Sequence, residues 1–181
     1  VVVGHVPVHL YGQGFLVILP YMAADLGLAN VLAGLVETIR RAGGGIASMG
    51  GGVVTDRYQH LRGHFLGFSL VLMGLGYLVA GLVSTYVLIV LALGVASAMG
   101  SFWHPPAASV LSQSFPHRRG TVMSLHRSSG TAGDTVAGLI VGALLSAGIL
   151  WQVILQGTTI MTLLIALPLW VYLWNVGGPR V

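Results

Sequence analysis

The chain has 181 residues, of which 55% are hydrophobic and only 7% charged, with a mean hydropathy of +0.89. Soluble domains carry about 25% charged residues, so this composition cannot cover a normal aqueous surface, and lipid is the expected solvent. The lack of cysteine excludes a disulfide framework and a thiolate metal site, and a net charge of +4 that comes from arginine alone, with no basic stripe, excludes nucleic acid as a partner.

A hydrocarbon core of roughly 30 Å takes about 20 helical residues. Runs of that order fall at about 4–24, 31–54, 65–83, 86–112, 119–147 and 151–174. The first ends before "ADLGLAN"; it has no basic n-region and no small-residue cleavage site, so a signal peptide is not expected. The second holds "AGGGIASMGGG", which lacks the Lys-Ser/Thr of a phosphate loop and reads as a close-packing helix surface. The third, "FLGFSLVLMGLGYLVAGLV", is apolar throughout. The fourth contains His104-Pro105-Pro106, a predicted kink, because each proline removes a backbone donor. The fifth follows "FPHRR" and is glycine-rich. The sixth runs from Trp151 toward Trp170, Tyr172 and Trp174, placed near its ends as interface anchors are. The runs are too long for strands and lack alternation, and an isolated strand would leave backbone groups unpaired in lipid. The expected fold is an all-α membrane protein, a single bundle of six transmembrane helices over residues 1–181.

Arg57 and Arg62 follow the second run, Arg118 and Arg119 the fourth, and Arg180 the sixth. The other three connections hold neither lysine nor arginine, which places both termini in the cytoplasm. Asp56 sits at the negative C-terminal end of its own helix, where a carboxylate is badly placed. Arg57 and Arg62 can neutralise it in part. The remaining readings are a helix N-terminus outside these residues and a plainly solvated loop.

Gly52, Asp56, Arg57 and Arg62 in "GGVVTDRYQHLRG" resemble the signature loop between helices two and three of the major facilitator superfamily, with Gln59 where that pattern has a second glycine. "GSFWHPPAASVLSQSFPHRRGTVMSL" is similar to helix four and the following loop of its fosmidomycin-resistance-like efflux members, and "RSSGTAGDTVAGLIVGALL" to their helix five. The resemblance implies the amino-terminal six-helix half of a twelve-helix fold with 3+3 inverted repeats, the carboxy-terminal half lying outside the chain, and solute held between the halves. It also implies an antiporter of a bacterial inner membrane, exporting a small organic anion or drug against protons. The alternative left open is a six-helix scaffold that keeps the fold without transport.

Ionisable groups within spans usually face a cavity or a partner. They fall on the first run (His5, His9), the second (Glu37, Arg40, Arg41), the fourth (His104) and the fifth (His126, Arg127, Asp134), and not on the third and sixth. In the resembled fold those four helices line the cavity while three and six face outward. Glu37 and Arg41 are at i,i+4 and can pair, which leaves Arg40 in need of a partner or an anion. Arg40, Arg41, Arg127, His104 and Gln13 are the expected solute-binding residues, and arginine suits carboxylate or phosphate. Asp134 and Glu37 are the expected proton carriers, and Gly52, Asp56, Arg57 and Arg62 the expected cytoplasmic gate. No cofactor is expected. No metal site is expected either, since neither His5–His9 nor His60–His64 has a third acidic or cysteine ligand nearby. No nucleophile–base set is present, so an enzyme is not expected. The expected partners are a small solute, protons, the bilayer and a second six-helix half.

Overall fold

Apolar runs of this length have one way to satisfy their backbone in lipid, and the chain takes it. A computed structural model describes residues 1–177; Arg180, assigned above to the cytoplasmic side, lies outside the described residues. The helices are α1 (Val2–Asp25), α2 (Asn30–Arg57), α3 (Arg62–Leu82), α4 (Tyr86–Phe102), α5 (His104–Ser114), α6 (Arg119–Ser146) and α7 (Trp151–Tyr172). Among the described residues there is no strand.

The fourth run is divided at Trp103 into α4 and α5, so it is one rod with a break. Pro105 and Pro106 cause it, since neither can donate back to the preceding turn. Glycine ends α1 and α6. Gly27 at φ +60 and Gly148 at φ +80 take the left-handed conformation that lets the backbone bond back onto the last helical turn.

Five rods are long and apolar enough to cross a membrane: α1, α3 with the turn before it, α4 joined to α5, α6 with the turn before it, and α7. α2 has the length, but Glu37, Arg40 and Arg41 lower its apolarity. The outer faces present Leu139, Leu164, Val171 and other large apolar side chains, the surface an acyl-chain solvent requires.

The main packing runs α6 on α1, α2 on α4, α4 on α3 and α3 on α7, with α1 meeting α7. α3 thus packs against both α4 and α7 and sends Met73 and Tyr77 to the cavity, while Phe68, Leu75, Val79 and Leu82 keep an exposed apolar face on its other side. Its glycines set the distance: a Cβ on Gly67 would collide with the Trp170 side chain of α7, and one on Gly76 would lie 2.8 Å from the Ala96 Cβ of α4. Leu66, Leu70, Met73 and Tyr77 fill the space between the glycines, with at most 2% exposed. At one end, Arg62 Nη1 donates to Gln113 Oε1 at 2.6 Å and joins the start of α3 to the end of α5. At the other, Trp151 Nε1 and Gln152 Nε2 both donate to Asp25 Oδ2 at 3.0 Å, so the carboxylate ending α1 sits at the positive N-terminus of α7.

α1 and α2 scarcely touch. The gap between them is the site.

Candidate functional site

Helical spacing puts Glu37 within reach of both arginines, at i,i+3 and i,i+4. Arg40 Nη1 donates to Glu37 Oε2 at 2.5 Å, and Arg41 Nε donates to Oε1 at 2.7 Å. One carboxylate thus serves two guanidiniums. The partner that the sequence required for Arg40 is thus the same Glu37 carboxylate, because a long side chain spans the angle between it and Arg41. Arg40 is buried, its Nη2 donates to the Tyr77 hydroxyl at 3.1 Å, and its guanidinium carbon lies 4.1 Å over the Phe15 ring. Tyr77 is held by stacking on Tyr11, with centroids 4.1 Å apart. Ser97 Oγ donates to the Arg40 carbonyl at 2.8 Å and ties α4 to this point of α2. Gly44 permits that approach, since a Cβ there would lie 2.6 Å from Ser101 Oγ. The Arg41 side chain is 69% exposed.

A second cluster forms where α1 meets α6. Gly130 and Gly133 bring the helices close: a Cβ on Gly130 would lie 2.8 Å from His5 Cε1 and from His9 Nε2. His5 Nδ1 donates to the His126 carbonyl at 2.7 Å. His9 Nδ1 donates to Asp134 Oδ1 at 2.9 Å. The two Nε2 atoms then face each other at 2.9 Å. The His5 ring is sandwiched between Trp103, at 5.3 Å and 13°, and His126, at 3.9 Å and 15°. His104 meets His5 and His9 edge-on at 5.2 and 5.8 Å.

Both clusters border one cavity of about 350 Å³. Its walls include Gln13 and His9 of α1, Glu37, Arg40 and Arg41 of α2, Ser97 and Ser101 of α4, His104 of α5 and Asp134 of α6. Met73 and Tyr77 of α3 close it, and α7 does not reach it.

Of the expected solute-binding residues, Arg40, Arg41, His104 and Gln13 are brought together here. Arg127 is not: it is exposed and does not line the cavity. The reason is rotational. His126 faces α1, and its neighbour in sequence lies about 100° round the helix. Asp134, read as having no charged neighbour one turn away on its own helix, meets His9 of another helix. Donor atoms of His5, His9 and His104, which spacing along the chain does not join, all lie within 4.8 Å of one another. In the loop after α2, Gly52 is half-buried, Asp56 and Arg57 are exposed, and Arg62 is buried against Gln113. Arg62 therefore does not neutralise Asp56, which makes no ion pair among the described residues.

Sequence reading missed Tyr77 and Ser97, which carry no charge to mark them. It also missed the joining of His9 to Asp134. A signal for that was present: His126, Gly130 and Asp134 recur at intervals of four, one stripe of a helix, as do His5 and His9.

Five apolar rods long enough to cross a membrane stand about a polar cleft with charges paired at its wall. The family model described as Major Facilitator Superfamily matches residues 1–180, and the chain belongs to that family. Its members are transporters, not enzymes, so this is a multi-pass membrane protein that works on a small-molecule solute in a lipid setting. No curated protein and no solved structure gives a significant match.

Proposed function

We propose that the protein moves a small organic anion across the membrane by alternating access, coupled to protons. The observation that carries this is the α2 cluster: two guanidiniums share the single Glu37 carboxylate, leaving the α2 wall of the cavity one positive charge in excess, with Asp134 set apart on the α6 wall. Arg40 is locked by Glu37, Tyr77 and Phe15, so it acts as a fixed electrostatic floor. Arg41 is the mobile partner, free to leave Glu37 for a carboxylate or phosphate, which arginine binds bidentately. Gln13 and His104 supply neutral donors beside it.

Asp134 and Glu37 are the proposed proton carriers, with Asp134 preferred because it meets an imidazole while Glu37 already holds two guanidiniums. We assign Gly52, Asp56, Arg57 and Arg62 to a cytoplasmic gate against a second six-helix half, and the direction to export as an antiporter of a bacterial inner membrane, on the resemblance of the loop and of helices four and five. Arg127 we remove from the binding set.

The test is transport in membrane vesicles under an imposed proton gradient, with a panel of organic anions and neutral analogues. Arg41→Ala is expected to raise KM for anions by about 10–100-fold, the loss of a hydrogen bond to a charged group. Asp134→Asn is expected to abolish gradient-driven transport while leaving solute exchange. Equal transport of neutral analogues and anions in the parent, or unchanged kinetics in both variants, would overturn the assignment.

A further inference from the structure

We infer that His5, His9 and His104 form a binding site for a divalent transition-metal ion of the Zn²⁺ type at the α1–α5–α6 edge of the cavity. The inference stands on geometry. His5 Nδ1 lies 2.7 Å from the His126 carbonyl, which only accepts, so that nitrogen carries the ring hydrogen and leaves Nε2 free. His9 Nδ1 lies 2.9 Å from Asp134 Oδ1, which aims its Nε2 the same way. The two Nε2 atoms face each other at 2.9 Å, a spacing that a shared proton or a metal ion can bridge.

The arrangement has the features of a metal site at each level. Ligating histidines commonly give their other ring hydrogen to a carboxylate or a backbone carbonyl, which fixes the tautomer and aims the free nitrogen; here one ring has each kind of acceptor. Tetrahedral zinc with Zn–N of about 2.0–2.1 Å sets its nitrogens about 3.3 Å apart, close to the His5–His9 spacing. The third donor, on His104, lies with the other two inside a 4.8 Å group and need only draw in. The stack of Trp103, His5 and His126 keeps the first ring from turning. His9 and His104 also line the cavity, so an ion has a way in. Three imidazoles without thiolate suit Zn²⁺, Co²⁺, Ni²⁺ or Cu²⁺ and disfavour Mg²⁺ and Ca²⁺. The site shares Asp134 with the coupling reading above, but it is read by binding without transport, so each can fail alone.

The experiment is titration of the purified, detergent-solubilised protein with Co²⁺, read by its visible ligand-field absorption, and with Zn²⁺ in competition with a chromophoric chelator. The expected result is one equivalent per chain with a tetrahedral cobalt spectrum, unaffected by Mg²⁺ or Ca²⁺. His9→Ala and His104→Ala should lose it, Asp134→Asn should weaken it by about 10–100-fold, and the triple variant His60→Ala, His64→Ala, His117→Ala should keep it. Gel filtration and circular dichroism check each fold. If the site variants do not fold, X-ray absorption of the zinc-loaded parent decides: a first shell with three imidazoles supports the site, and a shell of oxygens with one imidazole or none overturns it. Failure of the parent to take up one equivalent, or binding that survives in His9→Ala and vanishes in the outer triple, also overturns it.

Discussion

Arg40 shows what one buried charge demands. A guanidinium near the middle of an apolar rod is tolerated only when a carboxylate, a polar donor–acceptor or an aromatic face meets it, and Arg40 has all three in Glu37, Tyr77 and Phe15. Tyr77→Phe removes the hydroxyl and leaves the stacking surface against Tyr11 in place. The expected cost is about 1.5–3 kcal/mol, the range for a hydrogen bond to a charged group. Denaturation in mixed micelles reads it, and a change below about 0.5 kcal/mol, the scale of a neutral surface substitution, would show that the hydroxyl contributes nothing to holding the guanidinium.

At the scale of the element, contact between rods is governed by residues that lack a side chain. α3 approaches α7 through Gly67, where a Cβ would strike the Trp170 ring, and through Gly63, where it would strike the Leu173 carbonyl. At Gly67 the clash includes the Trp170 Cβ, which moves only with the backbone, as the carbonyl at Gly63 does. Gly67→Ala and Gly63→Ala are therefore each expected to cost at least about 1–3 kcal/mol, as overpacking does. Gly12→Ala, with nothing within 4 Å of the added methyl, is the control and should be neutral or slightly stabilising. Thermal unfolding in detergent ranks the three, and a Gly63→Ala protein as stable as the parent would contradict the packing described. The break at Trp103 belongs to the same scale. It separates α4, which ends at Phe102, from α5, which begins at His104 on the cavity wall.

For the whole molecule, the exposed Asp56–Arg57 corner and the cavity lie at different places, and separate functions are expected of them. Asp56→Asn should slow the transport cycle while leaving solute affinity within about twofold, because among the described residues no ion pair joins Asp56 to the cavity residues; such distant sites behave independently to within about 0.5 kcal/mol. Comparing solute binding with vesicle transport in the same preparation separates the two quantities. A large affinity loss with normal turnover would contradict the gate assignment.

The sequence by itself determined the solvent, the class and the helical build. Low charge, long apolar runs and a backbone that must bond to itself in lipid leave helices as the solution, and Gly52, Asp56, Arg57 with the His104-Pro105 break pointed to the family. It also marked Glu37, Arg40, Arg41, His104 and Asp134, because a charge or an imidazole inside an apolar run stands out whatever it touches. Only the tertiary structure decided what these groups do to one another. Periodicity places residues on one helix face, but which face meets which neighbour depends on how glycines let whole rods approach. That approach brought Met73 and Tyr77 of α3 to the cavity, gave Arg40 its Tyr77, left Arg127 off the cavity wall, and joined His5, His9, His104 and Asp134 from three parts of the chain into one cluster.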